Sequence, residues 1–281
     1  MDKVLLERLR HYFDNAAPFS HSVQMAMTEM SKVPVDLPGV CRLLETDPVL
    51  IAAILRLANS PFYGFAREIG KVSDAAVLLG VHSLKQLVIS FSLMKNLPQS
   101  SHEGLDHRGL WQHSIAVAVA SKVLAREAGL DQDEAFVAGI LSDIGLVVLE
   151  QCLGDEYLPV LGYQAERCCP LVVAEQAVLG VDHGQVGAAA INKWGLPAIY
   201  AEVALHCDQV LDQAPASPFV DLVQLACQLV KGLWITPAID SAMVNLSPET
   251  LERIGLDWLQ LERLLSEIDT SSREIIGRLL P

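Results

Sequence analysis

A chain of 281 residues, 51% of them apolar, is long enough for one large or two modest hydrophobic cores, and this composition excludes disorder over most of its course. Its 34 acidic residues against 20 basic ones give a formal charge of -14, which repels phosphate backbones and anionic lipid at long range and argues against nonspecific nucleic-acid binding.

Leucine, alanine and valine recur at three- and four-residue spacing throughout, while alternating runs bounded by hairpin turns are missing, so the pattern predicts an all-α, multi-helical fold. In chain order, helices are expected at Lys3–Asn15, Ser20–Met30, Leu37–Glu45, Pro48–Ala58, Val72–Leu79, Ser83–Lys95 and Gly109–Ala128. They continue at Gln132–Leu153 with an internal irregularity, Pro170–Val178, His183–Trp194, Ala198–His206, Pro218–Leu233 and Pro248–Leu280, the last broken near Thr270. Several ends carry their own chemistry. Asp47 and Ser247 each precede a proline that fits the first helical turn, and Gly195 and Pro197 separate two helices. Asn59-Ser60-Pro61 ends another, with Phe62 and Tyr63 as packing aromatics.

Periodicity lapses between Leu97 and Arg108, which divides the chain into an N-terminal helical subdomain at 1–100 and a second at 106–281, expected to share an interface. The opening segment, MDKVLLERLRHYFDNAAPFS, has neither a continuous apolar stretch nor a small-residue cleavage pattern, and apolar runs such as Ile115–Ala120 and Ile140–Leu149 are short. The expectation is a cytoplasmic protein with no membrane contact. Six cysteines, Cys41, Cys152, Cys168, Cys169, Cys207 and Cys227, are irregularly spaced without a CxxC pair, which predicts reduced thiols and no finger-type zinc site.

Asp143 carries the sharpest question. It lies in the apolar run Ile140-Leu141-Ser142-Asp143-Ile144-Gly145, and an ionised carboxylate buried there needs a cation, a metal or several donors. His113, His183 and His206 stand tens of residues away and can reach it only through the fold.

The strings Asp47-Pro-Val-Leu-Ile-Ala-Ala-Ile-Leu-Arg-Leu-Ala-Asn59-Ser60 and Ala76-Val-Leu-Leu-Gly80 resemble the HDOD domain, the HD-related output domain of bacterial signalling proteins. The resemblance continues through Trp111-Gln-His113, Ala138-Gly-Ile-Leu-Ser-Asp143-Ile-Gly145, Gly180-Val-Asp-His183 and Trp194-Gly-Leu-Pro197 to His206. It implies an N-terminal helical subdomain packed on an HD-like helical bundle, and a signal-transduction role through signalling-protein or small-nucleotide partners.

HD phosphohydrolases, to which that family is related, ring a metal with a histidine, a His-Asp pair and a late aspartate. By that resemblance His113 and Asp143 are kept, the paired histidine is Ser142, and the late aspartate is Cys227. His183 and His206 match second-metal positions, and Cys207 stands where a further histidine is expected. The implied ligand set is His113, Asp143, His183 and His206, with Cys207 as an additional donor and Asp143 as the catalytic residue of any active form. The cofactor is then none, or one divalent ion of zinc, manganese, magnesium or iron. Three readings follow: a polar cluster that satisfies itself, a noncatalytic metal site, and a metal-dependent phosphohydrolase acting on nucleotides or cyclic dinucleotides. The nearby bases in sequence, Lys122, Arg126, Arg167 and Lys193, offer the last reading little positive charge.

Overall fold

The computed structural model describes residues 3–15, 18–96, 106–208, 217–236 and 246–280, and among these there is no β-strand. The elements are α1 (Lys3–Asn15), α2 (His21–Glu29), α3 (Leu37–Leu44), α4 (Pro48–Ala58), α5 (Val72–Asn96), α6 (His107–Ala128), α7 (Gln132–Leu141) and α8 (Ile144–Leu153). A 3-10 turn at Gly154–Tyr157 leads to α9 (Leu158–Arg167), α10 (Leu171–Leu179), α11 (His183–Lys193), α12 (Ala198–His206), α13 (Pro218–Gly232), α14 (Pro248–Ile254) and α15 (Trp258–Leu279). The chain is all-α, as its periodicity predicts.

Helix starts follow the expected capping chemistry. The Asp47 side chain accepts the Leu50 amide with Pro48 in the first turn, and Ser247 accepts the Thr250 amide ahead of Pro248. Three details differ from expectation. The predicted helices on either side of Gly80 meet in α5 at a kink, where Gly80 takes φ 84° and ψ 161°. The helix α9 is absent from the expected set, and its Pro159 falls in the first turn, where no amide is lost. The expected break near Thr270 lies instead at Gly255, whose φ of 73° ends α14, and α15 runs through Thr270 unbroken. Most of the expected connector, residues 97–105, lies outside the described residues.

The described chain divides into two compact units, one spanning Met1–Ala16 and Pro98–Ser272, the other Ala17–Leu97 and Arg273–Pro281. Compared with the expected division at 1–100 and 106–281, α1 groups with the larger unit and the end of α15 with the smaller. In the smaller unit α5 packs against α2, α3 and α4. The loop after α4 is closed by one side chain: Asn59 donates to the Ile69 carbonyl at 2.9 Å and accepts the Ile69 amide at 2.6 Å.

In the larger unit α1 lies on α8, with Leu5 and Leu9 buried and Arg8 paired to Glu156 at 2.9 Å. Its centre is α6, where Ile115 through Ala120 are all wholly buried, so this helix is core on every face. Helices approach closely through small residues. A Cβ on Gly139 of α7 would lie 2.7 Å from the Ala118 Cα of α6, and one on Gly145 of α8 would lie 1.8 Å from the His183 carbonyl oxygen of α11. Two stretches, Val72–Lys95 and Gln132–Arg167, reach membrane-spanning hydropathy when averaged, although the short runs inside them did not suggest it. The second is divided among α7, α8 and α9 and buries 89% of its apolar window inside the protein, as core helices do.

Candidate functional site

Aspartates precede several of the described helices, and their side chains divide into two kinds. Asp36, Asp47, Asp106, Asp131, Asp182 and Asp257 each accept a backbone amide of the helix they precede, whereas Asp143, at the start of α8, makes no such bond. Its carboxylate is left to face inward, 5% exposed, into a cleft lined by His113, Leu146, Leu171, His183, Asp208 and Lys231. Ser142, in the place of the expected histidine, donates to the Gly139 carbonyl at 3.1 Å and to Asp143 Oδ2 at 3.3 Å. It supports the acid.

His113, buried in α6, brings Nε2 to 3.7 Å from Asp143 Oδ2, while its Nδ1 meets the Thr236 hydroxyl at 3.3 Å. His183 is the first residue of α11, fixed there by a capping box in which Asp182 and Gln185 exchange side-chain and backbone bonds. The close approach at Gly145 sets that helix end directly against α8. From this position His183 Nε2 lies 3.0 Å from Asp208 Oδ2 and 4.0 Å from Asp143 Oδ1.

The other ring nitrogen reaches Glu175 of α10. Glu175 is wholly buried and accepts three donors: His183 Nδ1 at 2.7 Å, the His183 amide at 2.9 Å and the Tyr157 hydroxyl at 2.5 Å. Burial alone would push the His183 imidazole down, but Glu175 and Asp208 hold its pKa well above the ordinary value, so the ring donates from both nitrogens. Burial would raise Asp208, yet His183 and then Lys231 hold it well below the usual carboxylate range. Lys231 Nζ stands 3.7 Å from Asp208 Oδ1.

Of the residues expected from sequence, the fold brings together His113, Asp143 and His183. His206 is half-buried and does not line the cleft. Cys207 turns its thiol to Cys227, with Sγ atoms 3.3 Å apart, and the pairing, burial and nearby carboxylates of Asp143 and Asp208 hold the Cys207 thiol well above its ordinary pKa. It is a neutral, packed thiol. Sequence reasoning missed Glu175, Asp208 and Lys231. Glu175 had a visible signal as the lone acid in the apolar helix Leu171–Leu179, and Lys231 lies one helical turn beyond Cys227 on the same face. Of the bases that sequence proximity offered, Lys122 pairs with Asp133 at 2.8 Å, Arg126 with Glu267 at 2.8 Å and Lys193 with Asp14 at 2.9 Å, while Arg167 lies over the Tyr163 ring, 5.8 Å from its centroid.

The donors fit one divalent ion. Single ligand atoms of Asp143, His183 and Asp208 all lie within 4.8 Å of one another, and His113 Nε2, beside Asp143, is a fourth donor. Glu175 backs His183 as carboxylates back metal-bound histidines. A mixed nitrogen and oxygen set of this kind suits zinc, manganese, iron or magnesium. For that, His183 Nε2 must give up its proton. The cleft offers about 10 Å³, roughly the space of one water.

Several solved structures share this architecture. An HDOD domain protein of unknown function from Geobacter sulfurreducens is 24% identical, with a TM-score of 0.76 over 97% of this chain and 98% of that one. A candidate phosphohydrolase from Shewanella amazonensis is 23% identical, with a TM-score of 0.76 over 99% and 98%. The MmoQ response regulator of Methylococcus capsulatus is 27% identical, with a TM-score of 0.50 over 89% and 98%. An uncharacterised protein of Treponema pallidum is 26% identical over 205 residues, 71% of this chain, which spans only 39% of that relative's length. The HDOD domain model matches residues 17–210, well over half of the sequence, and the chain belongs to the HDOD family.

Proposed function

We propose that this chain is a regulatory module of bacterial signal transduction, cytoplasmic and acting by binding signalling proteins, whose phosphohydrolase-like centre is closed and does no hydrolysis. The observation that carries this reading is the size and wiring of the cleft. About 10 Å³ between His113, Asp143, His183, Asp208 and Lys231 admits a water or an ion, whereas small-molecule sites measure on the order of 300 Å³ or more. The polar groups there also answer one another: His183 bridges Glu175 and Asp208, and Lys231 faces the other Asp208 oxygen. A cluster so satisfied fixes helix packing without a ligand. The MmoQ relative, a response regulator, supports the signalling part of the proposal.

The rival reading, a metal-dependent phosphohydrolase on nucleotides or cyclic dinucleotides, rests on the donor set of Asp143, His183 and Asp208. An ion held there would acidify a bound water and offset charge on a phosphoryl group. This chain's residues would do the rest poorly, since Lys231 lines the cleft and the described residues leave only about 10 Å³ there, too little for a phosphoester. Phosphatase and phosphodiesterase assays in manganese, magnesium and zinc test the choice. The expected result is no turnover by the native chain above that of Asp143→Ala, and metal-dependent turnover that Asp143→Ala abolishes overturns the proposal.

A further inference from the structure

Asp208 is held from both sides. Its Oδ2 accepts from His183 Nε2 at 3.0 Å, and its Oδ1 faces Lys231 Nζ at 3.7 Å. Lys231 is an unusual residue for this place, with a side chain only 9% exposed, because buried lysines persist where a carboxylate compensates them. It reaches the cleft from the face of α13 that also carries Cys227, one turn earlier.

We infer that Lys231 is the fixed cation of this centre: together with His183 its ammonium neutralises Asp208 where a divalent ion would otherwise do so, and it thereby sets the chain's affinity for metal. A divalent ion bound by Asp143, His183 and Asp208 must share Asp208 with that ammonium, and two cations on one carboxylate in a half-dry cleft repel. Removing the fixed charge frees an oxygen ligand and removes the repulsion while leaving the three donors in place. The centre then has the composition of a metal site with its histidine already backed by Glu175. This inference deepens the closed-centre reading proposed above and rests on it for the wild-type state.

Calorimetric titration of the full chain with zinc and with manganese, alongside thermal melts with and without metal, tests it. Lys231→Met is expected to bind one ion per chain at least tenfold more tightly than the native chain, with a metal-dependent rise in Tm. Lys231→Arg, which keeps the charge, should bind like the native chain, and Lys231→Met combined with Asp208→Asn should lose the gain. Lys231→Gln, with a polar head retained, serves as the second variant should Lys231→Met fold poorly. No gain in whichever neutral variant folds overturns the inference, as does native affinity equal to that of the neutral variants. Neither outcome touches hydrolysis, so phosphoester turnover by the native chain would sink the regulatory reading separately.

Discussion

Asp143 and Glu175 owe their positions to what they do not do. Asp143 starts a helix without capping it, which leaves its carboxylate for the cleft, and Glu175 interrupts an apolar helix to hold His183 by backbone and ring together. Removing Glu175 strands three donors in a wholly buried position: the Tyr157 hydroxyl, the His183 amide and the His183 ring. Breaking a buried network of this kind costs about 3–5 kcal/mol, so Glu175→Ala should lose that much in urea denaturation. A loss below about 1 kcal/mol would mean that the network contributes little to the fold. Legibility at this scale was partial. Asp143, His113 and His183 stood out as polar residues in apolar helical sequence, whereas Asp208 and Lys231 join them only through the meeting of α11, α12 and α13, which no local pattern encodes.

Helix boundaries were far more readable, because caps act over three or four residues. Asp47 was legible as a cap from Asp47-Pro48, but its partner Lys95, 2.6 Å away at the far end of α5, was not. Burial pushes the Asp47 carboxyl up, yet Lys95 and the amides of Leu50 and Val49 outweigh it and bring the pKa below the ordinary value. A depressed folded-state pKa means that the stabilisation is present above the unfolded value of about 4 and is lost as pH falls through the folded value. Because asparagine keeps the cap and removes only the charge, native chain minus Asp47→Asn should therefore differ by about 1 kcal/mol at neutral pH and converge below about pH 4. A difference independent of pH in parallel denaturation series would contradict this.

Close helix approach gives a second test among the elements. A methyl group at Gly145 would meet the His183 carbonyl oxygen at 1.8 Å, so Gly145→Ala must push α8 and α11 apart. Overpacking of this kind costs typically about 1–3 kcal/mol, and thermal melts should show it together with altered His183 ring resonances. An unchanged Tm and unchanged resonances would show that the two helices can yield. The glycines were visible in sequence, but their meaning was not, since clearance for packing and clearance for a ligand look alike in one dimension. The missed helix α9 has the same origin: Pro159 is a breaker in a helix interior and a starter in a first turn, and only the neighbouring fold decides which.

At the scale of the whole molecule, a formal charge of -14 and a centre whose positive groups are already spent on its own carboxylates oppose an anionic substrate twice over, at long range and at contact. The all-α class followed from periodicity, and the family from the order of its motifs. The departures from the phosphohydrolase pattern at Ser142 and Cys227 were legible in the sequence, but the place of Lys231 in the lining of the cleft is a tertiary fact. A single-turnover assay tests this account most directly, with the full chain in excess over labelled cyclic dinucleotide and saturating manganese. A closed centre gives decay of the label no faster than with Asp143→Ala. A first-order release of product by the native chain, absent from that variant, would contradict it.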